Sequence, residues 1–399
     1  MIAAGIRALA VVLPDEVRTN DYWCQKYPDI AQAQQRWLNK KANANGHKAQ
    51  EVKLSRKTDK LLFDATMAPY LDDPFHGAIE RRVLKAGETT TSLAVRAARQ
   101  AIEVANIPPT EIDLLLSTSM FPDRIGGGDA GFIAKEITKE LDYQGGAFTI
   151  DAYCGGSVAA LLSACAFVQS GQARNVLVVA ACNFSRGIEE LDASSRITGD
   201  GASAFIVGQE KAGYGLLGCK TIHTGETCGA WAITTLPDPT GSTVGGSKIS
   251  LLTTNNTLQA IRATHGSYLR RCTQGALEAA KVNMEDIKFF AFHTATAWIA
   301  DFSAKVLGIS PERTIDIYPW YGNISSAITP ITLHHAARLG KLHPGDLVLI
   351  YMFAGQSQAA AAVMRWGDVK LGSMPQGVPN NIAEFESRRM KSELIESLI

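Results

Sequence analysis

The sequence lacks an excess of charge of either sign, since 39 basic residues are balanced by 39 acidic residues among its 399. A chain without a basic excess has no global electrostatic attraction for nucleic acid, although a local patch is not excluded. No apolar run approaches the roughly 18 residues that cross a bilayer. The brief apolar stretch near the N-terminus ends at Pro14 and indicates a first strand, not a signal peptide. We therefore expect neither a nucleic-acid partner nor a membrane partner.

Cysteine motifs are also missing. The seven cysteines form no CxxC pair and no tight cluster, which argues against a disulfide framework and against a zinc site. We therefore expect no metal. We also expect a reducing, cytoplasmic setting, in which one thiol can be reactive and the other cysteines are small apolar fillers.

What is present is an internal duplication. Residues 101–116 and 276–291 match without gaps at an offset of 175, each as a helix end, a polar turn and a buried strand. Residues 154–171 and 323–340 match at an offset of 169, which makes Cys154 equivalent to Asn323. Either match alone could arise by chance, but their shared order along the chain favours duplication.

The duplication predicts an α/β fold built from two similar halves. Strands that alternate with helices indicate a largely parallel sheet with helices on its faces. We place the halves at residues 1–210 and 211–368. An irregular insertion at 20–85 and a polar tail at 369–399, with a helix from Ile382, fall outside the repeated pattern.

Cys154 is the first candidate for chemistry. An apolar strand precedes it, and Gly155, Gly156 and a helix of small and apolar residues follow. This order places the thiol at a helix N-terminus, where the partial positive charge favours thiolate and lowers the pKa. The alternative is that Cys154 is only a small buried residue.

His293 and Asn323 are the candidates for its partners. His293 follows the strand that ends at Phe292, where α/β proteins place functional side chains, and Asn323 enters a helix from a glycine-containing turn. Alone, each has another explanation: a core histidine and a helix N-cap. Together they offer two hydrogen-bond donors to one thioester oxygen, which a cysteine nucleophile needs nearby. The turn at Gly355 supplies a candidate backbone donor for an oxyanion hole.

At these residues the sequence resembles the thiolase-fold condensing enzymes, most closely the 3-oxoacyl-acyl-carrier-protein synthase III group. The resemblance implies a five-layered αβαβα fold, a homodimer and no tightly bound cofactor. It also implies a buried site, reached by a tunnel for the phosphopantetheine arm of coenzyme A or acyl carrier protein. The segments that carry the resemblance are 13–20, 151–157, 170–171, 176–179, 198–203, His293, 321–323 and 345–366.

The resemblance also assigns roles residue by residue. It implies that Cys154 is the acylated nucleophile and that His293 and Asn323 bind the carbonyl of the extender thioester and stabilise the enolate left by decarboxylation. It implies an oxyanion hole made by the backbone N–H groups of Cys154 and Gly355.

The sequence departs from the family pattern in three places. Thr294-Ala295-Thr296 stands where the family usually has Gln-Ala-Asn, and Ala354-Gly355-Gln356 replaces a glycine triplet. We take Thr296 and Phe353 as candidates for the substrate tunnel. The insertion replaces the short segment that carries the family's Trp and Arg coenzyme contacts. These changes suggest a specialised relative that acts in secondary metabolism.

Three functions fit this reading. The first is decarboxylative condensation of an acyl group, carried on Cys154, with a malonyl-type or β-keto thioester. The second is plain acyl transfer to an alcohol or amine, with His293 as general base. The third is a non-catalytic partner subunit. The presence of both Cys154 and Asn323 favours condensation.

The basic residues between 36 and 60 either steer an acidic carrier protein or coenzyme phosphates, or form a solvated loop.

Overall fold

The computed structural model describes residues 2–30, 32, 56–124, 127–190, 192–225, 227–237, 247–253, 257–355, 357–379 and 381–386. The strands are β1 Ala3–Val12, β2 Glu16–Thr19, β3 Glu80–Val83, β4 Leu114–Ser119, β5 Gly146–Thr149, β6 Asn175–Asn183, β7 Asp200–Glu210, β8 Gly215–His223, β9 Trp231–Pro237, β10 Ser247–Thr253, β11 Ile287–Phe292, β12 Leu347–Ala354, β13 Gln358–Arg365 and β14 Lys370–Leu371. The α-helices are α1 Asn20–Lys26, α2 Lys57–Met67, α3 Thr90–Ala105, α4 Ala130–Leu141, α5 Gly156–Gln169, α6 Phe184–Gly187, α7 Thr257–Ala280, α8 Ile299–Leu307, α9 Tyr318–Tyr321 and α10 Ile328–Arg338.

Two sheets carry the same strand arrangement. In the first, β4 pairs parallel with β6, β6 antiparallel with β7, and β7 antiparallel with β1. In the second, β11 pairs parallel with β12, β12 antiparallel with β13, and β13 antiparallel with β8. The first sheet adds β5 beyond β4 and β14 beyond β1. The repeated order confirms the duplicated halves that the sequence predicts.

The backbone repeats in detail as well. Asn106 and Lys281, at an offset of 175, end their helices with φ of 53° and 57°. Gly171 and Gly340, at an offset of 169, have φ of 73° and 74°. Positive φ is uncommon for residues other than glycine, so its recurrence at Asn106 and Lys281 supports one chain path used twice, and the matched glycines agree with it.

The expectation of a largely parallel sheet is wrong, because both sheets are mixed. The loop from β12 to β13 is only a few residues long, and so short a connection joins antiparallel neighbours. A parallel pair needs a crossover of a dozen or more residues, such as α10 and the loop that precede β12.

Helices lie on the outer face of each sheet and between the two. Helix α3 packs against β1, β6 and β7, and α7 packs against β8 and β13. Helices α5 and α10 lie between the sheets, in a central core that draws Val176 and Val178 from one sheet and Val348 and Ile350 from the other. The resulting order is α–β–α–β–α, as the resemblance implies.

The segments outside the repeat make their own contacts. In the insertion, α2 packs against α7 and α8, and β3 pairs with β2. In the tail, β14 pairs with β1, and residues 382–386 are helical.

The proposed boundary at 210 coincides with the end of β7, but the domain limits stay a prediction. The basic residues of 36–55 and the predicted helix beyond 386 lie outside the described residues. Within the described part of the chain, no helix has the length and apolarity that a membrane span requires.

Candidate active site

Cys154 lies at the start of the buried helix α5. It is the middle residue of a 3-10 helix, Tyr153–Gly155, that runs directly into α5. The two glycines therefore belong to the helical start and do not form a separate turn. They are needed for packing, because a Cβ on Gly155 would overlap the Met352 side chain and one on Gly156 would overlap Thr118.

Burial determines the protonation of Cys154. The residue is 9 % exposed, and loss of solvent raises the pKa of its thiol to about 11, opposed in part by a polar contact with Ser325. The expected lowering of the pKa by the helix N-terminus is therefore wrong. Desolvation outweighs the helix effect, and the thiol is protonated at neutral pH.

His293 follows β11 and is buried. Its backbone N–H donates to the Tyr351 carbonyl over 3.0 Å, which fixes the end of the strand against β12. Its Nε2 lies 3.1 Å from the Ser325 carbonyl oxygen. A carbonyl can only accept, so Nε2 carries the proton of the neutral ring. Burial lowers the pKa of His293 to about 4, and the imidazole is therefore a neutral donor at physiological pH.

Asn323 is held by its backbone in the first half of the chain. Its N–H donates to Ile197 O over 2.8 Å, and its carbonyl accepts from Gly199 N–H over 3.0 Å. Its side-chain Oδ1 accepts from Ser325 N–H over 2.8 Å. This bond commits the amide oxygen and leaves the NH₂ group of Asn323 as the donor.

Ser325 joins the three candidates. It faces the Cys154 thiol, accepts from His293 through its carbonyl, and donates to Asn323 through its N–H. Its φ of +50° is uncommon for serine and turns both backbone groups toward the site. Sequence reasoning missed Ser325. The available signal was the duplication, which aligns it with Gly156, the first residue of α5.

The candidate oxyanion and tunnel residues lie near this centre. Gly355 has a φ of +56°, and a Cβ there would lie 3.0 Å from the Tyr153 ring. Its turn therefore abuts the residue that precedes Cys154. Phe353, two residues earlier, is half-buried, and the hydroxyl of Thr296 is buried without a hydrogen-bond partner among the described residues.

The remaining cysteines correct one sequence interpretation. Cys24, Cys219 and Cys228 are exposed, so they are not apolar fillers, whereas Cys165, Cys182 and Cys272 are buried. His334 and His335 are fully buried. The described residues contain no group of three or more side chains arranged to hold a metal.

The buried histidines link the second half to the tail. The Nδ1 atoms of His334 and His335 lie 3.1 Å apart, His335 Nε2 lies 2.7 Å from Tyr321 OH, and His334 Nε2 lies 2.9 Å from Gly372 O. This chain of contacts fixes the residue two positions before Asn323 against the segment that follows β13.

Comparison with known proteins identifies the family. Models of 3-oxoacyl-[acyl-carrier-protein] synthase III match residues 148–225 and, for its C-terminal part, residues 277–366. The β-ketoacyl-[acyl-carrier-protein] synthase III of Brucella abortus is 31% identical over 303 residues, covering 73% of this chain and 88% of its own. This chain belongs to the 3-oxoacyl-[acyl-carrier-protein] synthase III family. It is therefore a thiolase-fold enzyme of a family of condensing enzymes.

Solved structures of the family superpose over most of the chain. The synthase III of Thermus thermophilus matches with a TM-score of 0.68 and 26% identity, over 91% of this chain and 99% of its own. The priming β-ketosynthase of the R1128 polyketide pathway matches with a TM-score of 0.70 and 23% identity, over 92% and 97%. At that identity the second likeness shows the fold alone.

Proposed function

We propose that this synthase III family member loads an acyl group from a coenzyme A or acyl-carrier-protein thioester onto Cys154. It then condenses that group with the α-carbon of a malonyl-type or β-keto thioester, decarboxylatively where that thioester is of the malonyl type, in a specialised pathway. The observation that carries the proposal is that Ser325 contacts all three candidates. Its hydroxyl interacts with the Cys154 thiol, its carbonyl accepts from His293 Nε2–H, and its N–H donates to Asn323 Oδ1, which leaves the Asn323 NH₂ group as a second donor.

In the first step, the Cys154 sulfur attacks the thioester carbon and the bond from that carbon to the donor sulfur breaks. The proton lost by Cys154 passes to the departing sulfur, which leaves as the free thiol. Because burial holds the free thiol protonated, activation has to accompany substrate binding. The backbone N–H groups of Cys154 and Gly355 are the candidate donors to the oxyanion. The approach of the Gly355 turn to the Tyr153 ring, next to Cys154, supports this assignment.

In the second step, an extender thioester binds with its carbonyl oxygen at His293 and Asn323. The bond from its carboxylate to the α-carbon breaks, carbon dioxide leaves, and the electron pair becomes an enolate that the two donors stabilise. The α-carbon then attacks the acyl carbon and expels the Cys154 sulfur. A bound carbonyl must share or displace the hydrogen bond from His293 Nε2–H to the Ser325 carbonyl.

Intact-mass measurement tests the first step. Incubation with short acyl-coenzyme A thioesters should add one acyl group per chain, and Cys154→Ala should abolish it. Cys165→Ala is the matched control, because that thiol is also buried but lies far along α5. A wild-type chain that stays unmodified across the thioester panel would contradict the proposal.

Supplying a malonyl thioester to the acylated chain tests the second step. Carbon dioxide release with a β-keto product supports condensation, and His293→Ala should suppress it while leaving some acylation. An alcohol or amine product that carries the acyl group, with malonate intact, would favour the alternative of plain acyl transfer. The observation that supports this alternative is the neutral imidazole of His293, which can act as a general base for an alcohol or amine.

The assembly is part of the proposal. We expect a homodimer, as the resemblance implies, and light scattering of the purified chain would measure it.

A further inference from the structure

His265 is a buried polar side chain that neither the fold nor the proposed chemistry explains. It lies on α7, is 1% exposed, and neither of its ring nitrogens has a hydrogen-bond partner in the described part of the chain. An unmet buried polar atom costs about 1–3 kcal/mol. A histidine retained at such a position therefore points to a partner that comes from outside the chain.

Its surroundings place it beside the candidate tunnel. The imidazole meets Phe353 edge-on, with ring centroids 4.8 Å apart and planes at 86°. Three more rings close around it, at centroid distances of 5.8, 5.5 and 6.0 Å: Trp298, Phe302 and Tyr351. Phe353 is half-buried and the three others are buried. Of the four rings around the imidazole, the one that retains exposure is therefore Phe353.

His265 is also close to the centre of the site. Burial, with a smaller contribution from the nearby His293, lowers the pKa of His265 to about 3. The imidazole is therefore neutral, with one donor and one acceptor nitrogen. The three residues after His293 include two threonines, Thr294 and Thr296. Their hydroxyls are buried, and each lacks a hydrogen-bond partner among the described residues.

We propose that His265 is a specificity-determining residue that hydrogen-bonds an uncharged oxygen of the substrate, a keto or hydroxyl group near the thioester. This inference rests on the proposed function, and on Phe353 as a candidate for the wall of the substrate tunnel. The oxygen is uncharged because the surrounding rings exclude the water that a carboxylate needs, and a neutral imidazole does not neutralise a charge. The preferred substrates are accordingly 3-oxo or 3-hydroxy thioesters, in preference to plain alkyl ones.

The test is a comparison of three matched ligands. Cys154→Ala, which cannot be acylated, is titrated by calorimetry with butanoyl-, 3-hydroxybutanoyl- and 3-oxobutanoyl-coenzyme A. The value of one net hydrogen bond predicts tighter binding of an oxygenated ligand by roughly two- to tenfold. Adding His265→Leu should remove that preference, whereas His265→Asn, which keeps a donor and an acceptor, should retain part of it.

Thr264→Val is the control for changes in α7. The Thr264 hydroxyl bonds within the helix to Ala260 O over 2.6 Å, so its loss should leave the preference unchanged. Equal weakening of all three ligands by His265→Leu would mean that the imidazole contacts the shared pantetheine arm, and would overturn the proposal. A parent chain that binds the three equally, or binds none, would overturn it too. The acylation assay on the unaltered chain judges the proposed function separately, because these titrations need no reactive thiol.

Discussion

The raised pKa of the Cys154 thiol predicts how its thiolate fraction depends on pH. Its pKa of about 11 lies two units above the ordinary value of 9.0. At pH 8 the thiolate fraction should therefore be about a hundredfold below that of an unperturbed thiol, a difference of about 2.7 kcal/mol. A cysteine activated by a permanent ion pair with histidine would behave in the opposite way. The neutral His293 excludes such a pair here, because burial lowers the pKa of that imidazole to about 4.

Alkylation by iodoacetamide as a function of pH measures this difference. Peptide mapping follows Cys154, and the exposed Cys24 and Cys228 in the same samples report the reactivity of the reagent. Restricted access to a buried thiol scales the whole rate curve, whereas ionisation sets its dependence on pH. We therefore expect the Cys154 rate to keep rising tenfold per pH unit through pH 9 and beyond, without a plateau.

Substitution of Ser325 sharpens the assay. Its contact with the thiol opposes the rise in pKa, so losing the hydroxyl should move the Cys154 curve to still higher pH. Glycine is the appropriate replacement, because it tolerates the φ of +50° at this position. Rapid alkylation of Cys154 with a plateau near pH 7 would refute the reasoning, since it would require a thiolate in the free enzyme.

Three further changes test other parts of the structure. Asn323→Asp keeps the acceptor for the Ser325 N–H but loses the amide donor. Single-turnover analysis should therefore show acylation retained and β-keto product reduced about 100- to 1,000-fold, and an undiminished product rate would contradict the donor role. Gly156→Ala would press on Thr118 and should cost about 1–3 kcal/mol in the free energy of unfolding by urea. The control is Gly131→Ala, whose Cβ would lie in open space and should not lower the free energy of unfolding. An equal loss of stability in the two variants would contradict the packing argument. Stability should also fall in acid. Buried histidines with lowered pKa values favour the folded state fully above pH 6.5, and this contribution is lost as the pH falls from 6.5 toward 4. A Tm series would show the decline, and a flat series would contradict the burial of His265, His293, His334 and His335.

The parts of the fold that the sequence predicts are those set by local pattern. Apolar periodicity and matched helix–strand segments reveal two α/β halves, because a repeated unit must bury the same faces twice. Strand direction was predicted less well, since it depends on the length of connections such as the one between β12 and β13. The pairing of β14 with β1 joins distant parts of the chain, so no local pattern announces it.

The site divides in the same way. Cys154, His293 and Asn323 each follow a strand or a glycine turn, so their positions in the chain indicate where they lie in the fold. His265 has no such signal, because its importance comes from what packs against it, and the only signal for Ser325 is its alignment with Gly156 in the duplication. The pKa of Cys154 was mispredicted for a related reason: a helix N-terminus is visible in sequence, whereas the depth of burial is not.

The duplication explains why the site needs both halves of the chain. Cys154 and Asn323 occupy equivalent positions, each after a residue with positive φ, 50° at Tyr153 and 62° at Gly322. The backbone of Asn323 is anchored to Ile197 and Gly199, which belong to the other half. One copy of the repeated turn thus presents the proposed nucleophile, while the other presents the proposed donor, whose backbone is bonded to the first half. Neither half contains all three candidates Cys154, His293 and Asn323, so the halves expressed separately should show no acyl transfer. Activity that returns on mixing would require the backbone bonds of Asn323 to Ile197 and Gly199 to re-form.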